Sequence, residues 1–334
     1  MSSVLGNEAQ AAVRDFQAMR EAADWFAVLR SGGVTDDERR DWRLWLEASA
    51  EHRHIWQRVE AISGCFELAE EERGTAEAVL ATSSRQRDRR RALKMLSLLC
   101  IGGSGALALG QIPQLRQPLT ALAADHATGT GETRQLVLAD GSSLWLNTGT
   151  AINVRYTAGL RRIELLHGEL LVETAPDTQP QPRPLVVDSQ QGRMRALGTR
   201  FTVRQFDEAT RLDVYEGRVE VVPRAAAEAS RIVPTGAQVA FSDVRIDAEA
   251  AADPAHKLWS RGLLMADDMP LGELITELAR YRRGYLGCAP QVARLRVVGG
   301  YPLHDTDLAL GMLEAALPVR IRQRMPWWVT VEAL

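Results

Sequence analysis

The side chains able to do chemistry are thinly spread along this 334-residue chain. Six histidines stand at 52, 54, 126, 167, 256 and 304, and only His52 and His54 are near neighbours. An i, i+2 pair diverges around a helix, whereas a helical metal pair needs i, i+4, as in H-E-x-x-H, which is absent. Gly129-Thr130-Gly131 lacks the third glycine and the preceding strand of a dinucleotide site. There is no G-x-S-x-G elbow and no Walker loop. Asp267-Asp268, just before Met269-Pro270, reads as a helix cap rather than a catalytic dyad. The expectation is a non-enzyme with no metal and no cofactor. Three cysteines, at 65, 100 and 288, suggest no intrachain disulfide framework. A net charge of −3 and a pI near 6.1 give no global basic field for nucleic acid.

The elements come next. Residues 8–80 read as helices, with Ala11, Val13, Phe16, Met19, Ala23, Phe26, Val28 and Leu29 recurring at spacings near three and four. Ser31-Gly32-Gly33 stops the first helix. Thr35 caps the next, and Glu38 completes a capping box. Trp42, Trp45 and Leu46 follow on one face. A third helix from Ser49 turns Ile55, Trp56, Val59 and Ile62 inward, and residues 66–81 supply a fourth. Trp25, Trp42, Trp45 and Trp56 fit either a small core in need of bulk or an aromatic partner groove. Arg39, Arg40, Arg43, Arg53 and Arg58 admit a DNA-binding helix-turn-helix, against which stand Asp36, Asp37, Glu38, Asp41, Glu47 and Glu51.

Met95 to Leu115 carries no charge, and Arg85, Arg87, Arg89, Arg90, Arg91 and Lys94 precede it. As a helix, Met95 to Ile112 would rise about 27 Å, near the hydrocarbon thickness of a bilayer. The expectation is one transmembrane helix over 93–113, with the basic cluster inside. That gives a single-pass inner-membrane protein, its N-terminus cytoplasmic and its C-terminus periplasmic. Two alternatives stay open: a glycine-rich buried helix, and a twin-arginine-like export signal cleaved after Ala121-Leu122-Ala123.

From about residue 130 the periodicity changes to two, which argues strands. Gln135 to Leu138 and Ser143 to Leu146 flank Asp140-Gly141, a hairpin signal. Arg162 to Leu165, Leu170 to Val172, Leu185 to Val187, Arg195 to Leu197, Arg200 to Val203, Leu212 to Tyr215 and Val219 to Val222 continue an all-β region to about 245. Past it, strands at 263–265 and 295–298 alternate with helices after Met269-Pro270 and after Asp305 or Thr306. Val319 to Ile321 and Trp328 to Val331 close as a hairpin.

Three segments resemble FecR-like regulators. Ala23-Asp24-Trp25-Phe26, Asp41 to Leu46 and Glu51 to Trp56 are similar to the family's N-terminal anti-sigma domain. Gly168-Glu169-Leu170, Arg183 to Val187, Leu197 to Val203 and Val214 to Val221 are similar to its central domain. Trp259, Arg261-Gly262, Pro270-Leu271 and Leu278 to Tyr281 fit the junction before a signalling module of the type shared by secretins and TonB-dependent receptors (STN-type). The resemblance implies a multidomain fold: an all-α cytoplasmic anti-sigma domain over 1–85, the transmembrane helix, a periplasmic all-β FecR domain over 126–245, and an α+β STN-type module over 257–334. It implies two protein partners and no direct nucleic acid. An extracytoplasmic-function sigma factor would meet Trp25, Trp42, Trp45 and Trp56. The signalling domain of a TonB-dependent outer-membrane receptor, loaded with ferric siderophore, haem or citrate, would meet Leu295, Val297, Val329 and Val331. Some members also split their own chain at a Gly-Thr bond matching Gly198-Thr199. The route would be attack of the threonine hydroxyl on the preceding carbonyl, giving an ester that water opens. The plainer reading is that Gly198 relieves a strand bulge and Thr199 pairs across the sheet. Rival classes are a membrane-anchored DNA-binding activator and an exported β-rich protein.

Overall fold

A computed structural model describes residues 17–29, 34–57, 59–60 and 124–334. They group into two compact units. One joins the N-terminal helices to 267–298 and 305–334; the other holds 124–266 and 299–304.

The second unit is built on one 13-stranded sheet. Its strands are β1 (His126–Ala127), β2 (Arg134–Val137), β3 (Ser143–Leu146), β4 (Ala151–Tyr156), β5 (Arg161–Glu173), β6 (Leu185–Asp188) and β7 (Gly192–Ala196). The rest are β8 (Arg200–Gln205), β9 (Thr210–Glu216), β10 (Arg218–Pro223), β11 (Arg231–Pro234), β12 (Ala237–Phe241) and β13 (Ala250–Ala251). The main path runs β11-β10-β7-β6-β5-β8-β9-β12-β13. Alternation builds the core, since every second residue of a strand faces the same way. Leu144, Leu146, Ile163, Leu170, Val172, Phe201, Val203, Leu212, Val214, Val219 and Val221 all turn inward and are fully buried. Each contributes roughly 1.5–3 kcal/mol of burial.

Strand β5 is long enough to serve two neighbourhoods. Its first half pairs antiparallel with β4 and parallel with β6; its second half pairs antiparallel with β3 and β8. Between them Gly168 takes φ +95°, and a Cβ there would sit 2.4 Å from Thr150 Oγ1. The expected hairpin at Asp140-Gly141 joins β2 to β3. Its Asp140 carboxylate accepts from Ser142 N–H (3.1 Å), Ser142 Oγ (2.8 Å), Tyr156 OH (3.0 Å) and Arg161 Nη1 (2.6 Å). Burial raises the Asp140 pKa, but these hydrogen bonds more than offset it and hold the group below the usual carboxylate range. Farther on, a 3-10 helix (Pro254–Arg261) lies on the sheet through His256 Nδ1, 3.0 Å from Asp213 Oδ1, and through Lys257 Nζ, 4.6 Å from the Tyr215 ring centroid.

The first unit contains helix α1 (residues 17–29), α2 (Asp36–Ala48) and α3 (50–57 and 59–60). The expected capping box of α2 is present, with Thr35 N–H and Glu38 N–H each bonded to the other's side chain. Toward the C-terminus follow β14 (Leu263–Pro270), α4 (Leu271–Ala279), β15 (Tyr285–Cys288), β16 (Arg296–Pro302), α5 (Thr306–Ala316), β17 (Val319–Met325) and β18 (Trp328–Ala333). β14 pairs with β16, while β18 lies between β15 and β17. Leu271, Leu274, Ile275 and Leu278 form the buried stripe of α4, and Asp305 caps α5 by accepting from Leu308 N–H.

One hydrophobic core joins Ala18, Met19, Ala22, Ala23 and Phe26 of α1 and Ile55, Trp56 and Val59 of α3 to Trp327 and Trp328. Phe26 meets Trp327 edge-on at 5.3 Å, and Arg324 pairs with Asp24. This overturns the expected fold class, in which a transmembrane helix separated an all-α bundle from an all-β domain and an α+β module. The described fold is N-terminal helices followed by a large mostly-β region with a curled sheet. Among the described residues no helix is long and apolar enough to cross a membrane. The expected span over 93–113 and the expected fourth helix over 66–81 lie outside the described residues.

Candidate functional site: the strand corner at Gly198 and Thr199

β7 pairs with β6 and β10, whereas β8 pairs with β5 and β9. Residues 197–199 carry the chain between these neighbourhoods. The same transfer recurs one hairpin later, where β9 passes into β10 through Gly217. The two corners lie side by side, with Leu197 N–H donating to Arg218 O at 3.1 Å. Gly217 takes φ +75°, and a Cβ on it would fall 2.0 Å from Gly198 O and 2.9 Å from Thr199 Cγ2. No other residue fits there without moving the Gly198 carbonyl. Gly198 itself takes φ +77° with open space around it, so glycine is required there by backbone angle rather than by crowding.

Thr199 is held by one neighbour. Its N–H donates to Thr174 Oγ1 at 2.8 Å, and its carbonyl accepts from Thr174 N–H at 3.0 Å and from Thr174 Oγ1 at 3.1 Å. Thr174 directly follows β5, so the grip comes from the end of the strand beside β8. The Thr199 side chain is different. The residue is 5 % exposed, and its Oγ1 has no hydrogen-bond partner among the described residues. A buried hydroxyl in that condition costs about 1–3 kcal/mol and is uncommon enough to need a reason.

The arrangement has a definite chemical capability. A hydroxyl on the residue after a carbonyl can close a five-membered ring onto it, converting amide to ester. Here the hydroxyl is bound to no other group among the described residues, and Gly217 lies close against the carbonyl oxygen of the amide it would attack. The backbone also fits the plainer expectation, since Thr174 N–H bonds Thr199 O across the sheet and a register slip between β8 and β9 falls just after Arg200. What that reading leaves unexplained is the hydroxyl, which has no hydrogen-bond partner among the described residues.

The other expected site residues are placed as follows. Trp56 is buried (6 % exposed), and Trp25, Trp42 and Trp45 pack half-buried against the same core. Trp45 Nε1 donates to Glu21 (2.9 Å), and its ring stacks on His52 at 4.5 Å. Burial raises the Glu21 pKa, while the bonds from Trp45 and Gln17 bring it below its ordinary value. The four tryptophans are therefore brought together mainly as core. What the sequence reading missed is the outer face of α2, a helix with no buried residue, where Leu44 stands 61 % exposed between Arg40 and Glu47. The signal was available: Leu44 lies off the Trp42, Trp45 and Leu46 stripe. Of the expected receptor contacts, Val297, Val329 and Val331 are buried and Leu295 is half-buried. β18, carrying Val329 and Val331, is paired on both sides and has no free edge. Burial pushes the Cys288 thiol up to about 11, which leaves it protonated and unreactive at neutral pH.

Comparison with known proteins gives two family matches. Residues 124–220 match the FecR protein family model, a span that contains Thr174, Gly198, Thr199 and Gly217. Residues 20–62 match a domain of unknown function, DUF4880. Residues 124–220 of the β unit thus carry a FecR domain. Two crystal structures, at 1.65 and 2.50 Å, of a candidate anti-sigma factor from Parabacteroides distasonis ATCC 8503 share the fold. Each is 22% identical, covers 63% of this chain and 98% of its own, and has a TM-score of 0.51. No curated protein matches the chain.

Proposed function

We propose that this chain is a regulator of an extracytoplasmic-function sigma factor, which it holds through residues 17–60. The observation that carries the reading is domain order: a DUF4880 match over three short helices, followed by a FecR domain. The outer face of α2, centred on Leu44, offers an apolar anchor ringed by charge, which suits a protein partner better than DNA. Support for the finer relay comes from the family resemblance and from the C-terminal strands. The unpaired sides of β15 and β17 are where the signalling domain of a TonB-dependent receptor could add a strand. The cargo of that receptor would be a ferric siderophore, haem or citrate. The regulator would work at the inner membrane, and self-cleavage at Gly198-Thr199 would belong to its maturation.

The test is a pull-down with the tagged full chain from the native organism's lysate, read by mass spectrometry. One sigma factor should be recovered, and Leu44→Arg should abolish recovery without unfolding the protein. Retention of DNA with no sigma factor would instead favour a DNA-binding activator.

A further inference from the structure

Beyond the cleavage itself, on which this reading rests, we infer that Thr174 is its positioning residue. Its hydroxyl fixes the Thr199 backbone, from which Thr199 Oγ1 would reach the Gly198 carbonyl. The Thr174 side chain is not needed for the strand ladder, because Thr174 N–H already bonds Thr199 O at 3.0 Å. The hydroxyl adds two further bonds, accepting from Thr199 N–H (2.8 Å) and donating to Thr199 O (3.1 Å). Gly217 lies close against Gly198 O. With the Thr199 backbone held by Thr174, rotation about its side chain is the main freedom left to the nucleophile, whose hydroxyl has no hydrogen-bond partner among the described residues.

The reaction balances within the chain and one water. Thr199 Oγ1 forms a bond to the Gly198 carbonyl carbon, the carbon–nitrogen bond to Thr199 breaks, and the hydroxyl proton passes to the nitrogen. Water then opens the ester, leaving a carboxylate at Gly198 and restoring the hydroxyl of a new N-terminal Thr199. Thr199 keeps both an N–H and its own carbonyl in the ester form, so both Thr174 bonds can persist through the shift. Thr174 therefore acts on the amide-to-ester step and leaves ester hydrolysis alone. Holding reacting groups in attack geometry is where such a residue contributes most.

The full chain is incubated with and without hydroxylamine, which cuts esters, and fragments beginning at Thr199 are timed by mass spectrometry. Thr174→Val and Thr174→Ala should slow their appearance about tenfold or more, as the loss of one or two hydrogen bonds implies. Thr174→Ser should restore the wild-type rate. Hydroxylamine should speed the wild type and fail to rescue Thr174→Val, because the ester has not formed. Wild-type rates in Thr174→Val and Thr174→Ala, or hydroxylamine rescue of either, would overturn the role of Thr174 while leaving cleavage standing. If the wild type yields no fragment even with hydroxylamine, the cleavage reading falls and this inference with it.

Discussion

Replacing Thr199 by valine should make the protein more stable, the reverse of what the same change does at a neighbouring threonine. Thr199 Oγ1 is buried and unpartnered, so valine removes a hydroxyl whose desolvation costs about 1–3 kcal/mol and returns a methyl to an enclosed site. Threonine and valine differ in polarity more than in volume. The expected gain is about 1 kcal/mol. Thr202, three residues on and 2 % exposed, is the control. Its hydroxyl lies 3.3 Å from Asp213 Oδ2 and 3.2 Å from Tyr215 OH, and Thr202→Val leaves buried Asp213 and half-buried Tyr215 each short of a bond. That loss should be about 1–3 kcal/mol. Urea unfolding of intact, uncleaved chain measures both. With a slope of about 2 kcal/mol per molar, the midpoints should move up by about 0.5 M for Thr199→Val and down by about 0.5–1.5 M for Thr202→Val. A Thr199→Val protein destabilised by more than about 1 kcal/mol would refute the reasoning, since it would mean that the hydroxyl makes a favourable bond.

Two more outcomes are expected. Gly217→Ala places a methyl 2.0 Å from Gly198 O in a backbone conformation unfavourable to alanine; it should cost about 2–4 kcal/mol in urea midpoint analysis and suppress any break at Thr199. Asp140→Ala strands Arg161 in a nearly buried pair (0 % and 8 % side-chain exposure), for about 3–5 kcal/mol at neutral pH. Because the folded Asp140 pKa is lowered, its stabilisation is complete above the ordinary carboxylate value and fades as pH falls through the lowered one. The wild type should therefore lose more stability than Asp140→Ala on acidification, with Asp188, also lowered, keeping a residual slope in both. Parallel curves would count against the role given to Asp140.

Local signals were legible in the sequence wherever one residue type dictates one geometry. The Thr35–Glu38 box, the Asp140-Gly141 turn and the Leu271 to Leu278 stripe are each written within a dozen residues. What joins distant segments was not. Nothing near Trp327 and Trp328 announces that they will pack on Phe26 and Trp56, because hydrophobic burial carries no address. At the candidate site the pair Gly198-Thr199 could be quoted from sequence, yet its environment could not. Thr174 lies 25 residues upstream and Gly217 follows 18 residues after Thr199, and only the strand corners bring them together. Two of the binding candidates, Trp56 and Val331, lie buried, as large apolar side chains mostly do, and that burial depends on partners far away in sequence.

A break at residue 198 would not set two halves free. In the sheet path β7, β6 and β5 belong to the upstream piece, while β10 on one side and β8 on the other belong to the downstream piece. Five residue pairs join β10 to β7, and six join β5 to β8, with the core of both halves shared between them. The nicked protein would thus be a two-chain assembly with one piece clasped by the other, held by ladders and core rather than by the chain. Its parts would come away under pull along the chain, when those ladders shear, so the cut would turn a covalent tether into a joint with a breaking force.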